Sequence, residues 1–321
     1  MLRNNFLRWS IKIISGIAAF LIIFFAVQPF FVPTYLQDST PVVKGYKYLE
    51  KNSIDALFLG SSQMFCSVDA GRLTNEYGIS SYDFGASAQN MTQTEYYFSE
   101  ALKTQDPKLV MLEVCNIFTA DKDVYDNSLS WNFTPMKPSV AKFRTAMKVC
   151  DNNFYKSFKY SYAPILLYHS RWTVIGDFSF GEEKDFDVVL HPKKYALISS
   201  RGFFGRDHVE KHEIDFLKDD YNEKIIPEES RQAILNIAET CRENGAKLVL
   251  FKTPVSCWTK GDSLSVRKFA DENGFDFYDF NENIGEIGID ENTDFYNIDH
   301  LNIQGAEKFT DYFVETLKKY L

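Results

Sequence analysis

The sequence has few of the residues that mark disulfide scaffolds, metal sites and extended chains. Its 321 residues include five cysteines, none in a C-x-x-C pair or clustered with histidine, at positions 66, 115, 150, 241 and 257. This pattern disfavours a structural zinc site and gives no sign of a disulfide framework. Proline and glycine number only 10 and 16, too few for a collagen-like or disordered chain. The length allows one large domain or two smaller ones, with an ample core.

Acidic residues are missing from the first 33 positions, which hold three basic residues, Arg3, Arg8 and Lys12. Of 35 basic residues, 32 therefore lie in the remainder with all 44 acidic residues, which gives that part a net charge of −12. A body this acidic repels phosphate backbones, so we expect no nucleic-acid partner. The sequence also contains neither a P-loop nor a G-x-G-x-x-G motif, so no motif argues for a nucleotide cofactor.

Residues 13–27 form an uninterrupted run of apolar and small side chains, which continues through Phe30, Phe31 and Val32. About twenty such residues are what a helix needs to cross a membrane. Because the early basic residues precede the run, the N-terminus is expected in the cytoplasm. We therefore predict a cytoplasmic tail (1–12), a transmembrane anchor (13–33) and an extracytoplasmic domain (34–321).

A cleaved signal peptide and a buried core helix are alternative interpretations of the same apolar run. No small-x-small cleavage site ends the run, and bulky residues (FFAVQPFF) follow its centre, which favours an uncleaved anchor. A core helix of a soluble domain would be expected to have a polar face, and no polar face interrupts this run.

Downstream of the anchor, short apolar runs alternate with helical patterns. This alternation predicts an α/β domain whose parallel sheet is covered by helices on both faces. Functional residues of such sheets gather at the carboxyl ends of the strands. The predicted strands are residues 55–60, 80–87, 108–114, 247–255 and 275–280, and the predicted helices are 91–104, 227–245, 262–273 and 304–320.

Residues 118–225 break this rhythm with weak periodicity and many aromatic residues. A loop of that length without structure is improbable in a compact domain, so we expect a helical insertion or cap over the strand ends. Its aromatic side chains would either stack on sugar rings or simply pack within the cap.

Two polar motifs stand where chemistry is expected. Gly60-Ser61-Ser62-Gln63 directly follows the first predicted strand, where a turn exposes a hydroxyl and helix amides support developing negative charge. A serine there could equally cap the next helix. The second motif, NIDHLN at residues 297–302, places His300 beside Asp299 just before the last predicted helix.

Together these motifs resemble the SGNH (GDSL-like) hydrolase superfamily. The likeness is to its membrane-anchored bacterial branch, which includes the D-alanyl-transfer protein of teichoic acid operons and relatives in surface-polysaccharide clusters. The resemblance covers residues 55–116 and 227–321 and is poor in the insertion between them. Leu301, Asn302 and Gly305 match the HLNxxG tail of that family.

The resemblance implies a three-layer, flavodoxin-like fold and a site made of known parts. Ser62 would be the nucleophile and His300 its base, with Gly85 and Asn116 completing the oxyanion hole. No metal or organic cofactor would be needed. Two positions depart from the family pattern, because the third strand ends Glu113-Val114-Cys115-Asn116 rather than Gly-x-Asn and the usual acid is replaced.

The missing acid is the larger departure. Family members place an aspartate three residues before the histidine, and this chain has Asn297 there. We expect Asp299 to substitute as the triad acid, with Asp294 as a further candidate. Alternatively, Asn297 itself orients the ring and supports weakened activity.

The function implied is a membrane-anchored O-acyltransferase or esterase that modifies cell-surface polysaccharide or teichoic acid through an acyl-serine intermediate. Its partner in related systems is a membrane-bound O-acyltransferase. A catalytically weakened binding or scaffold module for envelope polysaccharide assembly and a lipid-ester hydrolase remain as alternatives. His191, His208 and His212 lack an evident further metal ligand, and Cys66 is expected to pack in the core.

Overall fold

The predicted strands form one five-stranded parallel sheet in the computed structural model, which describes residues 2–32, 39–169, 199–209, 217 and 219–321. The order in the sheet is β2-β1-β3-β4-β5, and every neighbouring pair is parallel. The strands are β1 (Ala56–Gly60), β2 (Ser81–Gly85), β3 (Leu109–Glu113), β4 (Lys247–Lys252) and β5 (Asp276–Asp279).

Helices connect the strands and continue beyond the last one. A short antiparallel pair, β6 (Phe295–Asn297) and β7 (His300–Leu301), precedes the final helix. Short 3-10 helices cover Gln28–Phe31, Asp121–Asp123 and Phe280–Asn283. The α-helices are α1 (Leu2–Val27), α2 (Ser39–Tyr46), α3 (Ser62–Ser67), α4 (Ala70–Tyr77), α5 (Met91–Ala101), α6 (Asp126–Phe133), α7 (Val140–Val149), α8 (Phe154–Tyr162), α9 (Pro164–Leu167), α10 (Glu228–Glu243), α11 (Lys260–Asn273), α12 (Ile284–Ile287) and α13 (Ile303–Leu317).

The sheet is buried on both faces, which explains why its strands are continuous apolar runs rather than alternating ones. Successive side chains of β1 point to opposite sides: Leu57 and Leu59 join the core beneath α5, α10 and α11, whereas Phe58 joins the core beneath α3, α4 and α13. The architecture is therefore an α/β domain with helices on both sides of a parallel sheet.

The strand order reverses between β1 and β3, because β2 follows β1 on one side and the remaining strands extend on the other. The carboxyl ends of two strands that part in this way leave a crevice, and doubly wound sheets bind ligands there. Ser62 follows β1 and Asn116 follows β3, so both predicted site residues lie at this switch point.

The first part of the insertion, residues 118–169, is largely helical. Phe133 of α6 and Tyr160 of α8 are buried in the same core cluster as the residues of α5. Ser128 and Asn132 of α6 donate hydrogen bonds to the carbonyls of Ala88 and Ser87, in the loop after β2. This part of the insertion thus packs beside the strand ends, with some of its aromatic rings in the core. Residues 170–198, 210–216 and 218 lie outside the described residues.

The N-terminal helix differs from the expectation at its start, because α1 begins at Leu2 and includes the predicted tail. Residues 7–31 are long and apolar enough to span a membrane. The most apolar window of this stretch has no buried residue, which distinguishes α1 from the core helix of a soluble domain.

Candidate active site

The Ser62 turn is built from the end of β1. Gly60 ends the strand with φ +149°, a backbone conformation that favours glycine. Ser61 then takes an extended conformation as the N-cap, and its carbonyl accepts hydrogen bonds from the amides of Met64 and Phe65. Ser61, and not Ser62, therefore occupies the cap position of α3. The Ser62 side chain is half-buried at the switch point, and its hydroxyl is directed away from the start of the helix.

That hydroxyl meets His300. Ser62 Oγ lies 2.8 Å from His300 Nε2, and His300 Nδ1 lies 3.0 Å from Asn297 Oδ1. The two residues on the ring come from the β6–β7 pair, in which Asn297 and His300 are register partners. Ser62 and His300 are 238 residues apart in the sequence, and Asn297 and His300 are 3 apart. The structure therefore brings these three side chains into one series of hydrogen bonds.

The direction of these hydrogen bonds follows from a third contact. The backbone N–H of Asp299 donates to Asn297 Oδ1 at 3.0 Å. A backbone amide can only donate, so the amide oxygen of Asn297, not its nitrogen, must face this cluster. His300 Nδ1 must then carry a hydrogen and donate it to the same oxygen. Nε2 is left as an acceptor for the Ser62 hydroxyl, which is the tautomer that a general base requires.

His300 is neutral in this environment. Burial lowers the pKa of His300 from its ordinary value of 6.5 to about 4. The negative charge of Asp299 opposes this shift, and the positive charges of Arg206 and Lys252 reinforce it. A histidine that accepts a proton from a serine must be unprotonated, so this environment keeps the ring competent down to acidic pH.

The predicted acids are placed away from the ring nitrogens. Both nitrogens of His300 are occupied by Ser62 and Asn297, and the carboxylate of Asp299 instead interacts with the thiol of Cys257, whose pKa burial and that carboxylate raise to about 11. Asp294 is buried, and its carboxylate accepts hydrogen bonds from Lys308 Nζ at 2.6 Å and from the Asp290 amide at 2.7 Å. Of Asn297, Asp299 and Asp294, Asn297 is the residue whose side chain contacts a ring nitrogen of His300.

Gly85 lies directly beside the Ser62 turn. A Cβ atom on Gly85 would come within 2.0 Å of the carbonyl oxygen of Gly60. Only glycine allows β2 to run this close to the end of β1, where the two residues are register partners. This close approach brings the backbone of the predicted oxyanion-hole residue to the strand end that carries Ser62.

Asn116 follows β3 on the other side of the turn. Its side-chain amide donates a hydrogen bond to the carbonyl of Gln89 at 3.0 Å, which ties this segment to the loop after β2. The preceding Cys115 contacts the hydroxyl of Ser61, with 2.9 Å between Sγ and Oγ. These contacts bring the segment after β3 next to the Ser62 turn.

Sequence reasoning missed a buried ion pair beneath this turn. Lys252 Nζ lies 2.7 Å from Glu113 Oε1, and both side chains are fully buried. The same ammonium group donates to Gln63 Oε1 at 2.7 Å, and the other oxygen of Glu113 accepts from the Cys115 amide at 3.0 Å. Although burial disfavours a charged lysine, the negative charge of Glu113 outweighs it and raises the pKa of Lys252.

A signal for this pair is visible in the sequence. Glu113 and Lys252 end two apolar runs, LVMLE and KLVLFK, that become the neighbouring strands β3 and β4. Charged residues at strand ends usually reach solvent. Here the Ser62 turn and the segment after β3 cover them, so their burial depends on tertiary structure.

The other residues considered in the sequence were three histidines and Cys66. The ring of His208 packs on Tyr296 with centroids 5.1 Å apart, whereas His191 and His212 lie outside the described residues. Cys66 is fully buried in the core beneath α3. Within the described ranges, no group of three or more histidine, cysteine, aspartate or glutamate side chains is arranged to hold a metal ion.

No protein-family model matches the sequence, and a comparison with curated proteins finds no match. The geometry of the site and the resemblance of its motifs are therefore the observations from which a function can be proposed.

The buried ion pair should contribute strongly to stability. Lys252→Met leaves Glu113 buried without its counter-ion, and we expect the free energy of unfolding to fall by about 3–5 kcal/mol. Urea unfolding of the full chain in detergent micelles measures this loss. The matched control is Lys318→Met, which removes the lysine of an exposed pair with Glu315 and should cost less than about 1 kcal/mol. Equal losses in the two variants would show that the Lys252 pair is not a structural requirement.

Asn297→Asp should raise the pKa of His300. A carboxylate on the Nδ1 side favours the imidazolium, so the ring should titrate near or above its ordinary value of about 6.5 instead of about 4. NMR titration of the ring, assigned with a His300→Gln variant, measures the change. Asn127→Asp, which adds the same charge at an exposed position of α6, should leave the titration unchanged. A His300 pKa that does not move in Asn297→Asp would contradict the contact between residue 297 and the ring.

Proposed function

We propose that this chain is a serine-dependent esterase or O-acyltransferase of the SGNH type. The observation that carries the assignment is the 2.8 Å contact between Ser62 Oγ and His300 Nε2, with Asn297 on the other ring nitrogen. A serine, a base and a group that orients the base are the parts that nucleophilic acyl transfer requires. The five-stranded sheet, with Ser62 at its switch point, is consistent with the fold of that superfamily.

In the proposed reaction, Ser62 Oγ attacks the carbonyl carbon of an ester while its proton moves to His300 Nε2. The backbone amides near Ser62 and Gly85, together with the Asn116 side chain, stabilise the negative oxygen of the tetrahedral intermediate. Each such donor contributes a factor of about 10²–10³ in rate. The intermediate collapses to an acyl-serine as the imidazolium returns its proton to the leaving alcohol. Water or a second hydroxyl then takes the acyl group by the reverse sequence.

Asn297 performs part of the work of the usual aspartate. In serine proteases, replacing the triad aspartate with asparagine costs about 10⁴ in kcat because the histidine then adopts the wrong tautomer. Here the Asp299 amide holds the oxygen of Asn297 towards the ring, so the tautomer is correct. What Asn297 cannot supply is a negative charge for the imidazolium, so we expect lower activity than an aspartate would give.

We further propose that the domain acts outside the cell at the membrane. The apolar helix at residues 7–31 supports an uncleaved anchor, and the basic residues before it support a cytoplasmic N-terminus. The motif resemblance points to cell-surface polysaccharide or teichoic acid as the acceptor or substrate, and to a membrane-bound O-acyltransferase as the partner. An anchored domain meets such substrates where acyl donors arrive.

A binding or scaffold module is the second candidate function. Asn297 in the position of the acid favours it, because a site that only binds a glycan needs no carboxylate to stabilise an imidazolium. Reactivity of Ser62 separates the two candidates.

The first experiment is labelling with a fluorophosphonate. Intact mass of the full chain in detergent should show one adduct, because only a serine polarised by a base reacts quickly. The adduct should be absent in Ser62→Ala and retained in Ser61→Ala, which removes the neighbouring hydroxyl of the same turn. A folded protein that forms no adduct would favour the binding module instead.

The labelling rate should be nearly independent of pH above about 5. Reaction requires neutral His300, whose pKa of about 4 sets the acid limb of the profile. In Asn297→Asp the limb should move to higher pH, while the rate on the plateau rises as the new carboxylate stabilises the imidazolium. A wild-type profile with its midpoint near 6.5 would show that His300 is not buried as the structure has it.

A further inference from the structure

A cavity of about 490 Å³ lies between the end of the apolar helix and the helical insertion. One wall is the last part of the apolar stretch and the turn that follows it, and the other is formed by the loop before α7, the start of α7 and the end of α8. Gln28 joins the two walls, because its side-chain oxygen accepts a hydrogen bond from the Ile165 amide at 3.0 Å. Lining residues include Phe25, Pro29, Met136, Lys142, Ser161 and Tyr162.

Two polar side chains that line this cavity have hydrogen-bonding capacity that no contact among the described residues uses. The side chain of Lys142 is 3% exposed, and its ammonium group donates to the Met136 carbonyl at 3.0 Å. An ammonium group has three N–H donors, so two remain. Ser161 is buried, and its hydroxyl has no hydrogen-bond partner within the part of the chain that the structure describes.

The surroundings of Lys142 are unusual for a buried cation. Burial, followed by the positive charge of Lys47, lowers the pKa of Lys142 to about 7. Lys47 in turn experiences the charges of Lys137 and Lys44. Within the described residues no carboxylate forms an ion pair with Lys142, although the body as a whole is acidic. A buried lysine among other lysines is costly unless an anion joins it.

We propose that this cavity binds the phosphate group of an anionic membrane lipid. Lys142 Nζ and Ser161 Oγ would donate hydrogen bonds to the phosphate oxygens, and the apolar wall at Phe25, Pro29 and Val32 would contact the start of the acyl chains. A phosphate group would supply a negative charge for the ammonium group of Lys142 and acceptor oxygens for both donors.

The position of the cavity favours a lipid over a free ion. The membrane-spanning stretch ends at Phe31, so Phe25 to Val32 lie where hydrocarbon gives way to headgroups. Tyr162, on the opposite wall, is a residue type that prefers this interface. An inorganic ion would use the two polar groups and leave the apolar wall without a partner.

This binding site is independent of the chemistry at Ser62. Its occupation would fix the body relative to the membrane, because the two walls belong to the anchor segment and to the insertion. Fluorophosphonate labelling should therefore be unaffected by substitutions in the cavity, so the two proposals can fail separately.

The test is lipid retention by the full chain in neutral detergent, measured by native mass spectrometry. Phosphatidylglycerol is compared with diacylglycerol of the same acyl chains, which lacks the phosphoglycerol headgroup. We expect about tenfold greater retention of phosphatidylglycerol, since a charge-assisted hydrogen bond contributes about that factor. The preference should be lost in Lys142→Met and reduced in Ser161→Ala. Lys318→Met, which removes an exposed lysine, should keep it.

Ser161→Ala guards against an effect on folding, because among the described residues the Ser161 hydroxyl has no hydrogen bond to lose. Equal retention of the two lipids, or an unchanged preference in both cavity variants, would overturn the site. A further arm adds inorganic phosphate alone and follows thermal unfolding. If phosphate raises the unfolding temperature of the wild type as much as phosphatidylglycerol does, the site is one for a free oxyanion and the lipid assignment is wrong.

Discussion

The buried ion pair between Lys252 and Glu113 is the contact on which the candidate site depends. It joins the ends of two neighbouring strands, and each partner holds a further piece of the site. Lys252 bonds Gln63, the residue after Ser62, and Glu113 bonds the Cys115 amide in the segment that leads to Asn116. The Ser62 turn and the segment after β3 are thus held by one charged cluster, which they in turn cover from water.

The same cluster affects the chemistry above it. Burial is the main reason that His300 is neutral; within the ion pair, the positive charge of Lys252 adds to the lowering of the pKa of His300 and the negative charge of Glu113 opposes it. The orientation of that base has a separate origin in the turn of the β6–β7 pair. There the Asp299 amide fixes the oxygen of Asn297, and through it the tautomer of the ring. The charge state of His300 therefore follows mainly from burial, and its tautomer from the β6–β7 turn.

Most of the sheet could be predicted from the sequence, because buried parallel strands are short apolar runs that need no partner information to be recognised. The Ser62 and His300 motifs could be located as well, since each lies next to a strand or helix boundary. The choice between Asn297 and Asp299 could not. Adjacent residues in a tight turn point in different directions, and only the turn geometry decides that residue 297 faces the ring. The burial of Lys252 and Glu113 likewise depends on segments distant in the chain.

A base with a pKa near 4 has a particular consequence for the proposed reaction. Such a base removes a serine proton reluctantly, but its protonated form is a strong acid that returns the proton readily to a leaving group. Attack by Ser62 would then be the slower step and expulsion of the alcohol the faster one. Esters with electrophilic carbonyls would suit this balance better than unactivated ones. With Asn297 in place of a carboxylate, the imidazolium is short-lived, and the oxyanion donors near Gly85 and Asn116 must supply more of the stabilisation of the transition state.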